Sequence, residues 1–231
     1  MILSPSDLRA RAAGIRLACF DVDGTLTDGR LHYDADGKES KAFHVLDGQG
    51  LRLLEDHGIA VALVTARRGA ALQARARDLR LERVHAGVKD KAACLRQLCE
   101  ELGLGLDEVA HMGDDLPDLP ALMLAGLSAA PANAHPWVAE RVHWRARANG
   151  GHGAARELCD LILEARGLRA AVLEVLVRML GERHAMRLEP GGGGRLADVC
   201  ALLAHCAGSR DSQRILSISA SSSGESCTFH A

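Results

Sequence analysis

The chain has 231 residues, 48% hydrophobic and 25% charged, enough to bury a core and too apolar for general disorder. Lys plus Arg number 28 against 30 for Asp plus Glu, so the net charge is −2 and no broad positive field exists to hold a nucleic acid. Aromatic residues are only 3%, which predicts an aliphatic core, and no apolar run approaches the ~20 residues of a membrane span.

In chain order, Ser4-Pro5 opens a helix over 5–13 that Gly14 stops. A short apolar run over 15–20 reads as a strand and ends abruptly in Asp21-Val22-Asp23-Gly24-Thr25. Segments 31–33 and 42–45 flank Asp34-Ala35-Asp36-Gly37, which predicts a β-hairpin. A helix over 49–57 stops at Gly58, and 59–64 is a continuous apolar strand. Alternation continues with a helix over 69–79, a strand over 83–86, a helix over 90–102, a strand over 109–112, a helix over 117–124 and a strand near 127–130. Strands without a polar face, separated by helices, predict an α/β fold with a doubly wound parallel sheet and a small hairpin insertion. Beyond residue 167 the composition changes, through a four-glycine run at 191–194 to a serine-rich end with almost no charge. Residues 1–167 therefore read as one domain and 168–231 as an appendage, helical over 168–180 and then too poor in apolar residues to order.

The seven cysteines contain no Cys-x-x-Cys pair and match neither a zinc site nor a disulfide scaffold. They read as small buried hydrophobes in a reducing compartment. The N-terminus lacks the apolar segment of a signal peptide, so the expected location is cytoplasmic. Arg67, Arg68, Arg75, Arg77, Arg80 and Arg83 suggest a solvated helix face, since no aromatic residue stands among them to stack on bases.

In a doubly wound sheet, ligands bind beyond the carboxyl ends of the strands, and here several of those ends carry reactive groups. The first delivers Asp21 and Asp23, the second Thr65, and the strand over 109–112 delivers Gly113-Asp114-Asp115 with Asp118 beyond. Residues two apart at a strand end point the same way, so Asp21 and Asp23 crowd one space, and Asp114 adds a third carboxylate. Such crowding calls for a cation, and hard oxygen ligands suit Mg²⁺. Lys91 begins a helix on the same face as Leu95, Leu98 and Leu102, where a lysine is locally unfavourable unless an anion lies near. Carboxylates, a metal site, a hydroxyl and a lysine together suit phosphoryl transfer, with a carboxylate nucleophile dividing it into two displacements.

These residues resemble the four motifs of the haloacid dehalogenase-like hydrolases. The match narrows with DVDGTLTDG at 21–29, Phe43-His44-Val45 with Asp47-Gly48-Gln49-Gly50, GDDLPDLP at 113–120, Pro131-Ala132-Asn133-Ala134-His135-Pro136 and Asn149-Gly150-Gly151-His152-Gly153-Ala154. That ordered series is similar to the 3-deoxy-D-manno-octulosonate 8-phosphate phosphatase family over about residues 8–166. The resemblance implies Asp21 as nucleophile and Asp23 as general acid and base. It also implies Mg²⁺ on Asp21, Asp114 and the Asp23 carbonyl, with Asp115 and Asp118 supporting them, and Thr65 and Lys91 on the phosphoryl group. Arg67, close to Thr65, is suited to a substrate carboxylate. A sugar-acid phosphate substrate in lipopolysaccharide precursor synthesis, no large cap domain, and a homotetramer built through the hairpin are implied in the same way.

Two positions depart from the family pattern. Leu46 and His152 stand where an arginine or lysine is usual, and both bear on recognition of an acidic sugar. A weakly catalytic oligomerising module would tolerate losing Asp23, Lys91 or Asp114, and all three are present. A phospho-receiver domain carries its aspartate on a later strand and lacks Asp-x-Asp-Gly-Thr after the first.

Overall fold

A computed structural model describes residues 2–174. The glycine run, the serine-rich end and Cys200, Cys206 and Cys227 lie outside the described residues, so the expected appendage is described only at its helical beginning over 169–174.

Ser4 caps α1 (Pro5–Ala13) by accepting from the Asp7 N–H, and Pro5 sits where no donor is needed. β1 (Leu17–Phe20) is buried at every position. The hairpin follows as β2 (His32–Tyr33) and β3 (Glu39–Ser40), antiparallel. Asp34 sets its turn, its Oδ1 accepting from the N–H groups of Asp36 at 3.0 Å and Lys38 at 2.8 Å. Then come α2 (Val45–Asp56), β4 (Ala60–Thr65), α3 (Ala70–Asp78), β5 (Arg83–Ala86), α4 (Lys91–Leu102), β6 (Val109–Met112), α5 (Leu119–Leu122), β7 (Leu127–Ala130), α6 (Pro136–Ala139), β8 (Trp144–Arg145) and α7 (Ala154–Ala165).

Six strands form one parallel sheet in the order β5-β4-β1-β6-β7-β8. β1 is central, and the chain leaves it first toward β4 and later toward β6. That reversal opens a crevice at the carboxyl edge where β4, β1 and β6 end side by side. Alternation along β1 divides the core: Ala18 and Phe20 join the cluster packed with α1, α2, α3 and α7, while Leu17 and Cys19 join that of α4 and Ala121. The expected α/β fold with a hairpin insertion is borne out, and Cys19, Cys94, Cys99 and Cys159 are free and buried, as their reading requires.

Three expectations are corrected. The second hairpin arm is Glu39–Ser40, not 42–45, because Phe43 packs against the core under the Arg75 guanidinium, 6.0 Å from its ring centre. The helix expected from 49 begins at Val45. Its two glycines look like a loop in the sequence, yet a Cβ at Gly48 would lie 2.1 Å from Arg75 Nη2, so glycine here permits close packing within a helix. The helix expected over 117–124 is a single 3₁₀ turn, Leu116–Asp118, followed by the short α5.

The sequence reading also passed over α6, β8 and α7. The stripe Ala155, Leu158, Cys159, Ile162 of α7 is legible at helical spacing, but no side chain of its own N-cap, Gly153, announces its start. The cap comes from α2 instead. Buried Asp47 accepts from the N–H groups of Gly153 at 3.2 Å and Arg156 at 2.8 Å. Asp47 in the Asp-Gly-x-Gly segment thus joins two helices.

Candidate active site

The deepest group of charges lies where β1, β6 and α4 converge. Asp21 follows β1 and Lys91 opens α4, and the Lys91 ammonium donates to Asp21 Oδ1 at 2.5 Å and also to Asp118 Oδ1. The side chains of Lys91, Asp21 and Asp118 are only 5%, 6% and 3% exposed, so this network is removed from water. Asp118 is engaged through both oxygens: its Oδ2 also accepts from the N–H groups of Asp114 at 3.1 Å and Asp115 at 3.2 Å. It therefore holds the loop after β6 and braces Lys91. His111, wholly buried behind it with its imidazole pushed down to about 4 by burial, is neutral.

Carboxylate oxygens of Asp21, Asp114 and Asp118 lie within 4.8 Å of one another. One ammonium cannot neutralise three carboxylates. Lys91 is kept charged, its own burial outweighed by Asp21 and Asp118. The shortfall falls on the others. Burial, then the Asp118 charge, raises Asp21 to about 8, and the same two causes raise Asp114 to about 6. Such a donor set fits a hard divalent cation. The Gly24 turn leaves room for it to form: with φ +97° and a Cβ that would lie 2.1 Å from Asp114 Oδ2, only glycine lets the two loops meet. Thr25 ties them together, its hydroxyl donating to Asp114 Oδ1 at 3.3 Å.

Asp23 faces a different set of partners. Thr65, at the end of β4, donates its hydroxyl to Asp23 Oδ2 at 3.2 Å, and the Lys41 ammonium takes Oδ1. Lys41 also pairs with Glu39 Oε1 at 2.6 Å. Arg67 donates to the other Glu39 oxygen at 2.9 Å and to the Tyr33 hydroxyl at 3.0 Å. The hairpin thus folds back over the edge of the site.

Asp21, Lys91, Asp114 and Asp118 are brought together as the sequence suggests, Thr65 meets Asp23 beside them, and Arg67 lies at the rim. Asp115 is not part of the cluster; it is exposed and accepts from the Leu116 N–H at 2.8 Å, capping the short turn. Lys41, Glu39 and Tyr33 were not singled out from the sequence, because short polar hairpin arms give no local sign of where they fold. The later motifs act as buttresses. The His135 N–H donates to the Asp114 carbonyl at 2.8 Å, the Gly150 N–H to Asn133 Oδ1 at 2.9 Å, and the Gly151 N–H to the Thr25 carbonyl at 3.0 Å.

The sequence pattern of the haloacid dehalogenase-like hydrolases matches residues 80–158. A 3-deoxy-D-manno-octulosonate 8-phosphate phosphatase from Yersinia pestis is 43% identical over 160 residues, 69% of this chain and 86% of its own length. The chain belongs to that phosphatase family. A hypothetical protein from Xanthomonas campestris, 61% identical, superposes with a TM-score of 0.72 over 74% of this chain and 93% of its own. The family member from Moraxella catarrhalis, 36% identical with a TM-score of 0.73 over 75% and 99% of the two chains, was solved with a magnesium ion, a phosphate ion and a KDO molecule. Membership in this phosphatase family bears out the reading from the motifs. The two positions where the chain departs from the family pattern lie around one residue: exposed Leu46 precedes Asp47, and exposed His152 lies close enough to act on the Asp47 charge.

Proposed function

We propose that this chain is a Mg²⁺-dependent phosphatase of 3-deoxy-D-manno-octulosonate 8-phosphate that works through an aspartyl-phosphate. The observation that carries the reading is the division of labour between two carboxylates: Asp21 buried and paired with Lys91, Asp23 two residues on and turned to Thr65. An Asp21 oxygen attacks phosphorus, the bond to the sugar oxygen breaks, and Asp23 gives that oxygen its proton. Asp23 then takes a proton from water, the water oxygen attacks phosphorus, and the bond to Asp21 breaks, releasing inorganic phosphate. Lys91 orients Asp21 and, with Thr65, binds the phosphoryl oxygens. Asp21, Asp114 and the Asp23 carbonyl would hold Mg²⁺, which when bound offsets their crowding and withdraws charge from the phosphoryl group. Asp118 supports this set through Lys91 and the Asp114 N–H.

Arg67 at the rim is the cation suited to the sugar carboxylate. Exposed Leu31, Tyr33, Val45 and Leu46, on the hairpin and the first turn of α2, support assembly into a homotetramer whose neighbours close each other's sites. Four buried free thiols support a reducing, cytoplasmic setting, and among the described residues no helix is long and apolar enough to cross a membrane. Residues 1–167 carry all of these groups, leaving 168–231 as an appendage. Phosphate release from a panel of sugar phosphates with Mg²⁺ tests the reading. The acidic sugar phosphate is expected to be turned over fastest; equal turnover of neutral sugar phosphates would refute the substrate assignment.

A further inference from the structure

Lys41 is an unusual lysine. Its side chain is 4% exposed, yet it lies in the segment that leaves the hairpin, where a solvated position was available. It contacts Asp23 Oδ1 and Glu39 Oε1, and Glu39 is held in turn by Arg67. A buried ion pair is a weak stabiliser compared with apolar packing, so anchoring the hairpin does not by itself account for a lysine here. The consequence for Asp23 is specific. Both of its oxygens are engaged, Oδ1 by Lys41 and Oδ2 by the Thr65 hydroxyl. In that state neither oxygen is free to serve a leaving group.

We propose that Lys41, braced by Glu39, is a positioning residue for Asp23, fixing Oδ1 so that Oδ2 faces the leaving sugar oxygen once Thr65 turns to the phosphoryl group. Asp23 carries its proton on Oδ2 once Thr65 turns away, and Lys41 supplies only the hydrogen bond to Oδ1. Without Lys41, rotation about the Asp23 side chain is unopposed when Thr65 leaves. A misplacement of ~1 Å at a reacting group costs on the order of 10²-fold in rate. The loss must depend on how much the leaving group needs a proton.

The proposal rests on Asp23 as the acid, and the experiment separates the two claims. Single-turnover phosphoenzyme formation is measured with Mg²⁺ on 3-deoxy-D-manno-octulosonate 8-phosphate and on 4-nitrophenyl phosphate, whose leaving group needs no proton. The proteins are wild type, Asp23→Asn, Lys41→Met, Lys41→Arg and Glu39→Gln. Lys41→Met is expected to slow the sugar ester about 10²-fold and the aryl ester far less, with KM for the sugar ester unchanged. Lys41→Arg restores most of the rate, and Glu39→Gln shows the same bias more weakly. If Lys41→Met fails to fold, the bias in Glu39→Gln decides. Equal losses on both esters, or none, while Asp23→Asn discriminates between them, overturn the positioning role. No discrimination by Asp23→Asn refutes the acid assignment and the proposal with it.

Discussion

Two lysine-centred networks flank the Asp21-Val22-Asp23 turn, one on each aspartate, and differ in how they are built. The inner one, Lys91 with Asp21 and Asp118, is supplied by a strand end, a helix start and the loop after β6, and all three side chains are at most 6% exposed. The outer one, Lys41 with Asp23 and Glu39, depends on a hairpin of two-residue arms, and its carboxylates are 19% and 17% exposed. The inner network has its geometry imposed by the sheet and, in the proposed mechanism, holds the nucleophile that every phosphomonoester needs. The outer network is built on the hairpin and, in the proposed mechanism, serves the step in which the sugar oxygen leaves. Nucleophile and proton carrier thus stand on separate networks along one crevice, with Asp21 on one side and Asp23 on the other.

The largest expected effect breaks the inner network at its reacting atom. Asp21→Asn keeps the shape and removes the anionic oxygen, so turnover of every phosphomonoester should fall by several orders of magnitude. The metal-free fold should persist, because one source of carboxylate crowding is gone. Near-normal phosphate release by a folded Asp21→Asn protein would mean that the inner network is not the nucleophilic one.

Next in size is the loss of Lys91. Lys91→Met leaves Asp21 and Asp118 buried without their cation, an arrangement that costs about 3–5 kcal/mol when one partner of a buried pair is removed. Lys41→Met should cost less, since water reaches its carboxylates. Urea unfolding of the two variants compares the networks directly, and equal losses would erase the distinction between them.

The inner network was legible in the sequence because each member stands at a place the fold class marks. Asp21 follows the first strand, Lys91 opens a helix on its apolar side, and Asp118 stands just beyond the strand over 109–112. Of the outer network only Asp23 was legible. Lys41 meets Asp23 across 18 positions only after the hairpin folds back, and nothing in the run Lys41-Ala42-Phe43 records that turn. Helices α2 and α7 were obscured for a related reason: the glycines of one exist for close packing, and the cap of the other is Asp47, 106 positions earlier than the Gly153 it serves. Signals that complete themselves only in three dimensions leave little trace at short range.

A pH effect sharpens the comparison further. Asp21 rises from 3.8 to about 8 in the folded metal-free chain, so the folded state binds more protons than the unfolded one between those values. Stability must then fall as pH rises through that window. The metal-free protein is expected to melt lower at pH 8 than at pH 7, and Mg²⁺ should raise Tm more at the higher pH. Asp21→Asn should flatten the dependence, whereas Glu39→Gln, in the outer network, should leave it. A Mg²⁺ shift of equal size at both pH values would mean that crowding of the inner carboxylates is not what the ion relieves.

The smallest effect concerns selectivity alone. Leu46 is 53% exposed at the first turn of α2, next to Asp47, and a leucine there offers nothing to a substrate carboxylate. His152 lies close enough to act on the Asp47 charge, and an imidazole does not carry the permanent positive charge of a guanidinium. Leaving a carboxylate unpaired in a desolvated site costs several kcal/mol, so a cation placed there should matter only to substrates that carry one. Leu46→Arg is therefore expected to lower KM for 3-deoxy-D-manno-octulosonate 8-phosphate several-fold and to leave KM for a neutral sugar phosphate unchanged. Because both substrates share the inner network, their ratio isolates carboxylate recognition. Light scattering on the same samples checks that assembly is preserved, since Leu46 also belongs to the apolar surface of the hairpin side. An equal change on both substrates, or none on either, would show that position 46 does not read the carboxylate and would leave selectivity to Arg67 and the outer network.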